Sequence, residues 1–192
     1  MFDENVTQEI LKTNEVLKQG GVILYPTDTV WGLGCDATRV KSVDRIFRIK
    51  KRPENKGFIV LLDQFEKLYD YVEHVPDIAA DLVNSFDRPL TVIYPHARNL
   101  AKNLMHPDGS VAIRIVKNEF CKNLVSLLGK PLVSTSANIS GLPAPLIYYK
   151  IDPAIINEVD YAVNLFRSRI DQVKPSTIIK FNEKGEYTVL RS

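Results

Sequence analysis

No apolar run in this sequence is long enough to span a bilayer, so a membrane-embedded class is not expected. The opening residues, MFDENVTQEILKTNEVLKQ, are polar and acidic, with no apolar segment of the kind a secretory signal needs. Cysteine is scarce: Cys35 and Cys121 make neither a disulfide framework nor a CxxC metal site. Together these absences predict a cytoplasmic protein. His74, His96 and His106 stand apart and no HExxH occurs, which argues against zinc, and no protein-held metal is expected. A GxxxxGK phosphate loop is missing, and of GxGxxG only the fragment Gly32-Leu33-Gly34 is present. No GxSxG elbow announces a hydrolase triad. Internal repeats, low-complexity tracts and linkers are absent too, so residues 1–192 read as one domain.

What is present is an ordinary globular composition, 45% apolar and 25% charged. Its charge is not evenly spread. Residues 39–56 hold eight basic side chains against Asp44 and Glu54, +6 within a chain whose net charge is +2. One face therefore suits an anionic partner, whereas general coating of nucleic acid does not follow.

The stretch Gly20–Asp36, GGVILYPTDTVWGLGCD, carries the strongest local signal. Val22-Ile23-Leu24-Tyr25 reads as a buried strand, and Pro26 ends it because proline has no N–H for the ladder. Thr27-Asp28-Thr29 then sits at a strand exit beside Trp31, and Gly32 and Gly34 permit close backbone approach. Such a tip suits the lip of a small-molecule pocket, or equally a tight turn with Trp31 as a core plug.

Elsewhere, helical spacing is expected over 5–19, 40–51, 64–72 and 76–86, and after the cap Asn118 as far as Gly129. Strands are expected over 58–62, 90–94, 111–116, 131–137, 176–181 and 187–191, the last two as a hairpin. This irregular interleaving predicts an α/β fold (α+β by some criteria), a mixed sheet with helices on its faces. On the second helix Lys41, Arg45, Arg48 and Arg52 form one basic stripe, while Lys50 falls in line with Val43, Ile46 and Phe47 and leans inward.

Three strand ends carry polar clusters: Thr27-Asp28-Thr29, Ser110 with Arg114, and Ser134-Thr135-Ser136-Ala137-Asn138. With Lys50, Lys51 and Arg52 they supply hydroxyls, an amide and cations, an inventory fit for a phosphate-bearing ligand. Physical reading alone reaches an anion- and nucleotide-binding α/β domain.

Four segments, YPTDTVWGLGCDA, IFRIKKRPENKGFIVLL, GSVAIRIV and PLVSTSANISGLPAP, resemble in order and spacing the YrdC family of threonylcarbamoyl-AMP synthases. The resemblance implies a twisted mixed sheet with a concave basic face. It also implies a nucleotidyl transfer joining L-threonine, bicarbonate and ATP into threonylcarbamoyl-adenylate, with Mg²⁺ arriving on the ATP. That product serves the modification of adenosine in tRNA, through a threonylcarbamoyl transfer complex. By the same resemblance Lys50 and Arg52 face the ATP phosphates as catalytic residues. Thr29, Arg114, Ser134 and Ser176 contact threonine, and Lys56, Ser110, Ser136, Asn138 and Arg191 contact ATP. The pattern departs at Leu61, where the family has a threonine-binding histidine, at Lys56, where it has asparagine, and at Ala144, where a serine is usual.

Two other functions fit the residues. Lys41, Arg45, Arg48 and Lys51 suit double-stranded RNA gripped through its phosphates without turnover. A divergent paralogue that adenylates another carbamoyl compound would use the same pocket.

Overall fold

The computed structural model describes residues 3–53, 57–169 and 175–192. Helix α1 (Glu4–Lys18) begins at Asp3, whose carboxylate accepts the Asn5 amide, and Gly20 at φ +85° turns the chain away. Strands β1 (Ile23–Tyr25) and β2 (Gly32–Gly34) pair antiparallel about the Pro26–Val30 turn. Helix α2 (Val40–Lys50) leads to β3 (Ile59–Leu62), and short helices α3 (Leu68–Tyr71) and α4 (Ala79–Ser85) precede β4 (Leu90–Tyr94). Then come β5 (Val111–Ile115), α5 (Glu119–Leu128), β6 (Leu132–Ser136), α6 (Pro153–Ile156), β7 (Tyr161–Ala162), β8 (Thr177–Phe181) and β9 (Tyr187–Arg191).

Among the described residues the strands form one sheet in the order β7-β1-β2-β6-β3-β5-β4-β8-β9. The pairs β1–β7, β3–β5 and β4–β8 are parallel and the others antiparallel, which is the mixed sheet expected. Helices pack on both faces, so strand residues alternate between two cores. Leu24, Val60, Leu62, Val92, Ile113, Val133 and Ile179 point to the larger core, where α2 packs through Val43, Ile46 and Phe47. Ile23, Tyr25, Leu61 and Leu132 point the other way, onto α1 and α5, whose Leu17, Phe120 and Leu124 are buried there. The α1–α5 layer covers only part of that second face. The remainder holds the cavity.

Several elements go beyond or depart from the expectation. Gly32-Leu33-Gly34 forms a strand that was not expected, because its glycines admit neighbours that no side chain would: a Cβ on Gly34 would lie 2.7 Å from Tyr25 Cε1 and 2.8 Å from the Val133 carbonyl oxygen. The helices expected over 64–72 and 76–86 shrink to α3 and α4. Val72 leaves for a β-bridge with Ala97, and the Pro76 carbonyl closes a turn on the Ala79 amide before α4 begins. Finally, α6 and the two-residue β7 carry too few residues for periodicity to reveal them.

Candidate active site

The basic stripe breaks at the end of α2. Lys51 adopts φ +49°, and the Lys51 and Arg52 amides close back onto the Arg48 and Phe47 carbonyls. That left-handed step takes Arg52 off the helix surface and into a cavity on the far side. There Nη2 of Arg52 donates to the Gly57 carbonyl at 2.9 Å, and its guanidinium stands 5.3 Å from the centre of the Phe58 ring. Burial lowers its pKa.

The cavity measures about 350 Å³. It collects side chains from strand ends distant in sequence but on one sheet face: Ser134 and Ser136 of β6, Ile59 of β3, Arg114 of β5, Ser176 beside β8 and Arg191 of β9. The Thr27–Thr29 turn closes one side. Thr27 Oγ1 donates to the Val30 carbonyl at 2.6 Å and accepts the Thr29 amide at 3.1 Å, which holds the Thr29 hydroxyl 3.2 Å away. Arg114, 6% exposed, is fixed at both ends: Nη1 donates to Asp28 Oδ1 at 3.3 Å and Nε to Thr91 Oγ1 at 3.1 Å. Arg191 donates Nε and Nη2 to the Ser176 carbonyl at 3.0 and 2.8 Å. Burial and the nearby Arg114 lower its pKa. Three guanidiniums thus converge on one hydroxyl-lined hollow, and such a set attracts polyanions.

Of the residues singled out in the sequence, Thr29, Arg52, Arg114, Ser134, Ser136, Ser176 and Arg191 line this one cavity. Others stand elsewhere. Lys50 is buried behind the Ser136 wall, donating Nζ to the carbonyls of Ser136 and Asn138, the latter at 2.7 Å. Burial, reinforced by the Arg52 charge, lowers its pKa to about 8. Carbonyl dipoles, rather than a carboxylate, thus solvate this inward ammonium. Asn138 is equally structural in posture, its Oδ1 accepting from Ser136 Oγ and its Nδ2 donating to the Leu142 carbonyl at 2.6 Å. Ser110 is spent on Asp108, donating Oγ–H at 2.6 Å, and does not line the cavity. Hydrogen bonds from Lys180 and Ser110 hold that carboxyl far below the usual range. Lys56 lies outside the described residues.

Of the departures, Ala144 borders the cavity, whereas Leu61 does not: it is packed into the α1–α5 core between its strand partners Arg114 and Leu132. Trp31 is a core residue, edge-on to Tyr148 at 5.1 Å. The expected RNA stripe is discontinuous, since Arg45 donates to Asp160 Oδ2 at 2.6 Å, while Lys41, Arg48 and Lys51 are exposed. Sequence reading missed Thr91, wholly buried at the heart of the site. Its signal was available as the one aliphatic hydroxyl in the strand Leu-Thr-Val-Ile-Tyr.

Residues 15–192 match the Sua5/YciO/YrdC family model, described as "Telomere recombination". The chain belongs to the Sua5/YciO/YrdC family. It is 38% identical over 151 residues to the threonylcarbamoyl-AMP synthase of Pseudoalteromonas translucida, covering 77% of this chain and 81% of that one. The Pseudomonas aeruginosa (strain UCBPP-PA14) threonylcarbamoyl-AMP synthase is 37% identical over 146 residues, covering 76% and 78%. Among solved family structures, P. abyssi Sua5 complexed with L-threonine superposes with a TM-score of 0.88 at 26% identity, over 100% of this chain and 55% of that chain. E. coli YciO superposes at 0.83 and 25% identity, over 96% and 89%. The chain thus spans little more than half of the Sua5 protein it resembles.

Proposed function

We propose that this chain is a threonylcarbamoyl-AMP synthase, a nucleotidyltransferase that converts L-threonine, bicarbonate and ATP into threonylcarbamoyl-adenylate and pyrophosphate. One observation carries the reading most directly: Arg52, Arg114 and Arg191 share a single cavity with Thr29, Ser134, Ser136 and Ser176. The names of the relatives support the same reaction.

In this reading threonine's amine condenses with bicarbonate, releasing water and leaving N-carboxythreonine. Its carboxylate oxygen attacks the α-phosphorus; the new O–P bond forms as the bond to the bridging oxygen breaks and pyrophosphate departs. No enzyme nucleophile is required, so the protein positions reactants and neutralises charge. Arg52 serves the phosphates from the α2 side, and Arg191 and Ser136 serve the nucleotide. Thr29, Arg114, Ser134 and Ser176 serve threonine. Lys50 and Asn138 act behind the wall, holding the Ser136–Asn138 turn. The described lining contributes no carboxylate, a donor set that fits Mg²⁺ carried by phosphate oxygens and water. The ion would offset triphosphate charge.

The product's destination, in this reading, is tRNA modification by a threonylcarbamoyl transfer complex, and the protein works in the cytoplasm. A double-stranded RNA grip is favoured by Lys41, Arg48 and Lys51, exposed along α2. Pyrophosphate release should require threonine, bicarbonate and ATP together. Release without threonine would overturn the synthase, and a salt-sensitive RNA shift with no release would leave only the RNA-binding reading.

A further inference from the structure

Thr91 is 0% exposed as the second residue of β4, yet its hydroxyl is the joint between two sides of the cavity. Arg114 Nε lies 3.1 Å from Thr91 Oγ1, and Ser176 Oγ lies 3.0 Å from it on the other side. Arg191 Nη2 reaches the same Ser176 Oγ at 3.2 Å.

The directions of these bonds follow from what each group is able to do. A guanidinium only donates, so Thr91 Oγ1 must accept from Arg114. The remaining question is which hydroxyl donates across the Thr91–Ser176 contact. If Ser176 donated, the Thr91 proton would be left in a fully buried position with no acceptor among the described residues, a costly arrangement. If Thr91 donates, every group is satisfied. Ser176 Oγ then accepts twice, from Thr91 and from Arg191, and both of its lone pairs are engaged. Its own proton has to point away from them, into the cavity that Ser176 lines.

We propose that Thr91 is a positioning residue that fixes the Arg114 guanidinium and commits Ser176 to donating its hydroxyl proton into the cavity, so that this subsite selects an acceptor-only anionic group, the carboxylate of the amino-acid substrate. The proposal rests on the synthase reading and deepens it at the amino-acid end. Thr91 touches no substrate. It acts through Arg114 and Ser176, and it leaves the Arg52 end of the cavity untouched.

The test uses the full chain with L-threonine, L-threoninamide and ATP as probes, and the variants Thr91→Val and Thr91→Ser. Thr91→Val keeps the shape but removes the hydroxyl, and Thr91→Ser restores it. The expected result for Thr91→Val is a rise in the threonine KM of roughly tenfold or more with the ATP KM changed less than about twofold. Its preference for threonine over threoninamide should narrow, and Thr91→Ser should recover both. Unchanged threonine KM in Thr91→Val would overturn the positioning role while leaving the synthase intact. Equal weakening of both substrates, or no recovery in Thr91→Ser, would reduce Thr91 to a packing residue and also overturn it. Absence of threonine dependence in the wild type would instead remove the synthase reading itself.

Discussion

Lys50 is the side chain in which charge and burial conflict most sharply. It is 1% exposed, its ammonium meets carbonyl dipoles rather than a carboxylate, and its pKa falls to about 8 from 10.5. The unfolded chain keeps this proton up to the higher value, whereas the folded chain releases it near the lower one. Between the two the unfolded state binds more protons, so the Lys50 contribution to stability rises with pH across that window. Urea unfolding should show wild type gaining on Lys50→Met between pH 7.5 and 10, by at most roughly 3 kcal/mol. A difference that stays flat with pH would contradict this. Arg52 is a second case at this scale. Arg52→Ala should keep the far-UV circular dichroism spectrum while lowering kcat/KM for ATP about 10²–10³-fold, since it removes a cation aimed at developing phosphate charge. Initial-rate pyrophosphate assays check it. Arg52 shows how far a motif is legible. Its type and place in sequence pointed to phosphate, but its membership of the surface stripe was an artefact of extending helical periodicity through Lys51.

At the scale of single elements, the β1–β2–β6 ribbon depends on backbone proximity. Gly34 faces Tyr25 and the Val133 carbonyl too closely for any Cβ, so Gly34→Ala should destabilise the fold by about 1–3 kcal/mol, read as a lowered urea midpoint. Helix α5 depends instead on its cap. The Asn118 side-chain oxygen accepts the Cys121 amide at 3.0 Å, and Asn118→Ala should cost about 1 kcal/mol in the same measurement. The cap and its closing Gly129 at φ +64° were readable because both act within a few residues. The β2 strand was not readable, because what makes Gly32-Leu33-Gly34 extended is its pairing with β1 and with Thr135 and Ser136, a hundred residues away.

For the whole molecule, the cavity is a seam. Its lining draws on the Thr27–Thr29 turn, β2, β3, β5, β6 and β9, so a ligand filling it would tie both halves of the sheet. ATP with threonine should therefore raise the unfolding free energy by about 2.7 kcal/mol at a hundredfold excess over Kd, seen as a higher melting temperature. Threonine with a non-binding nucleotide analogue should give less. Much of this protein was determined by sequence alone. The Pro26 strand exit, the Asn118 cap, the strands 90–94 and 187–191 and the four family segments are all local, set by propensity and by adjacent residues. Convergence was not local. Only the tertiary structure decided that Arg114, Ser134, Ser176 and Arg191 share one face, because a one-residue change of register in any of those strands would send its side chain into the opposite core. It also decided that Lys50 and Asn138 stand behind the wall, that Leu61 is a core residue, and that Thr91, one hydroxyl in an apolar strand, joins Arg114 to Ser176.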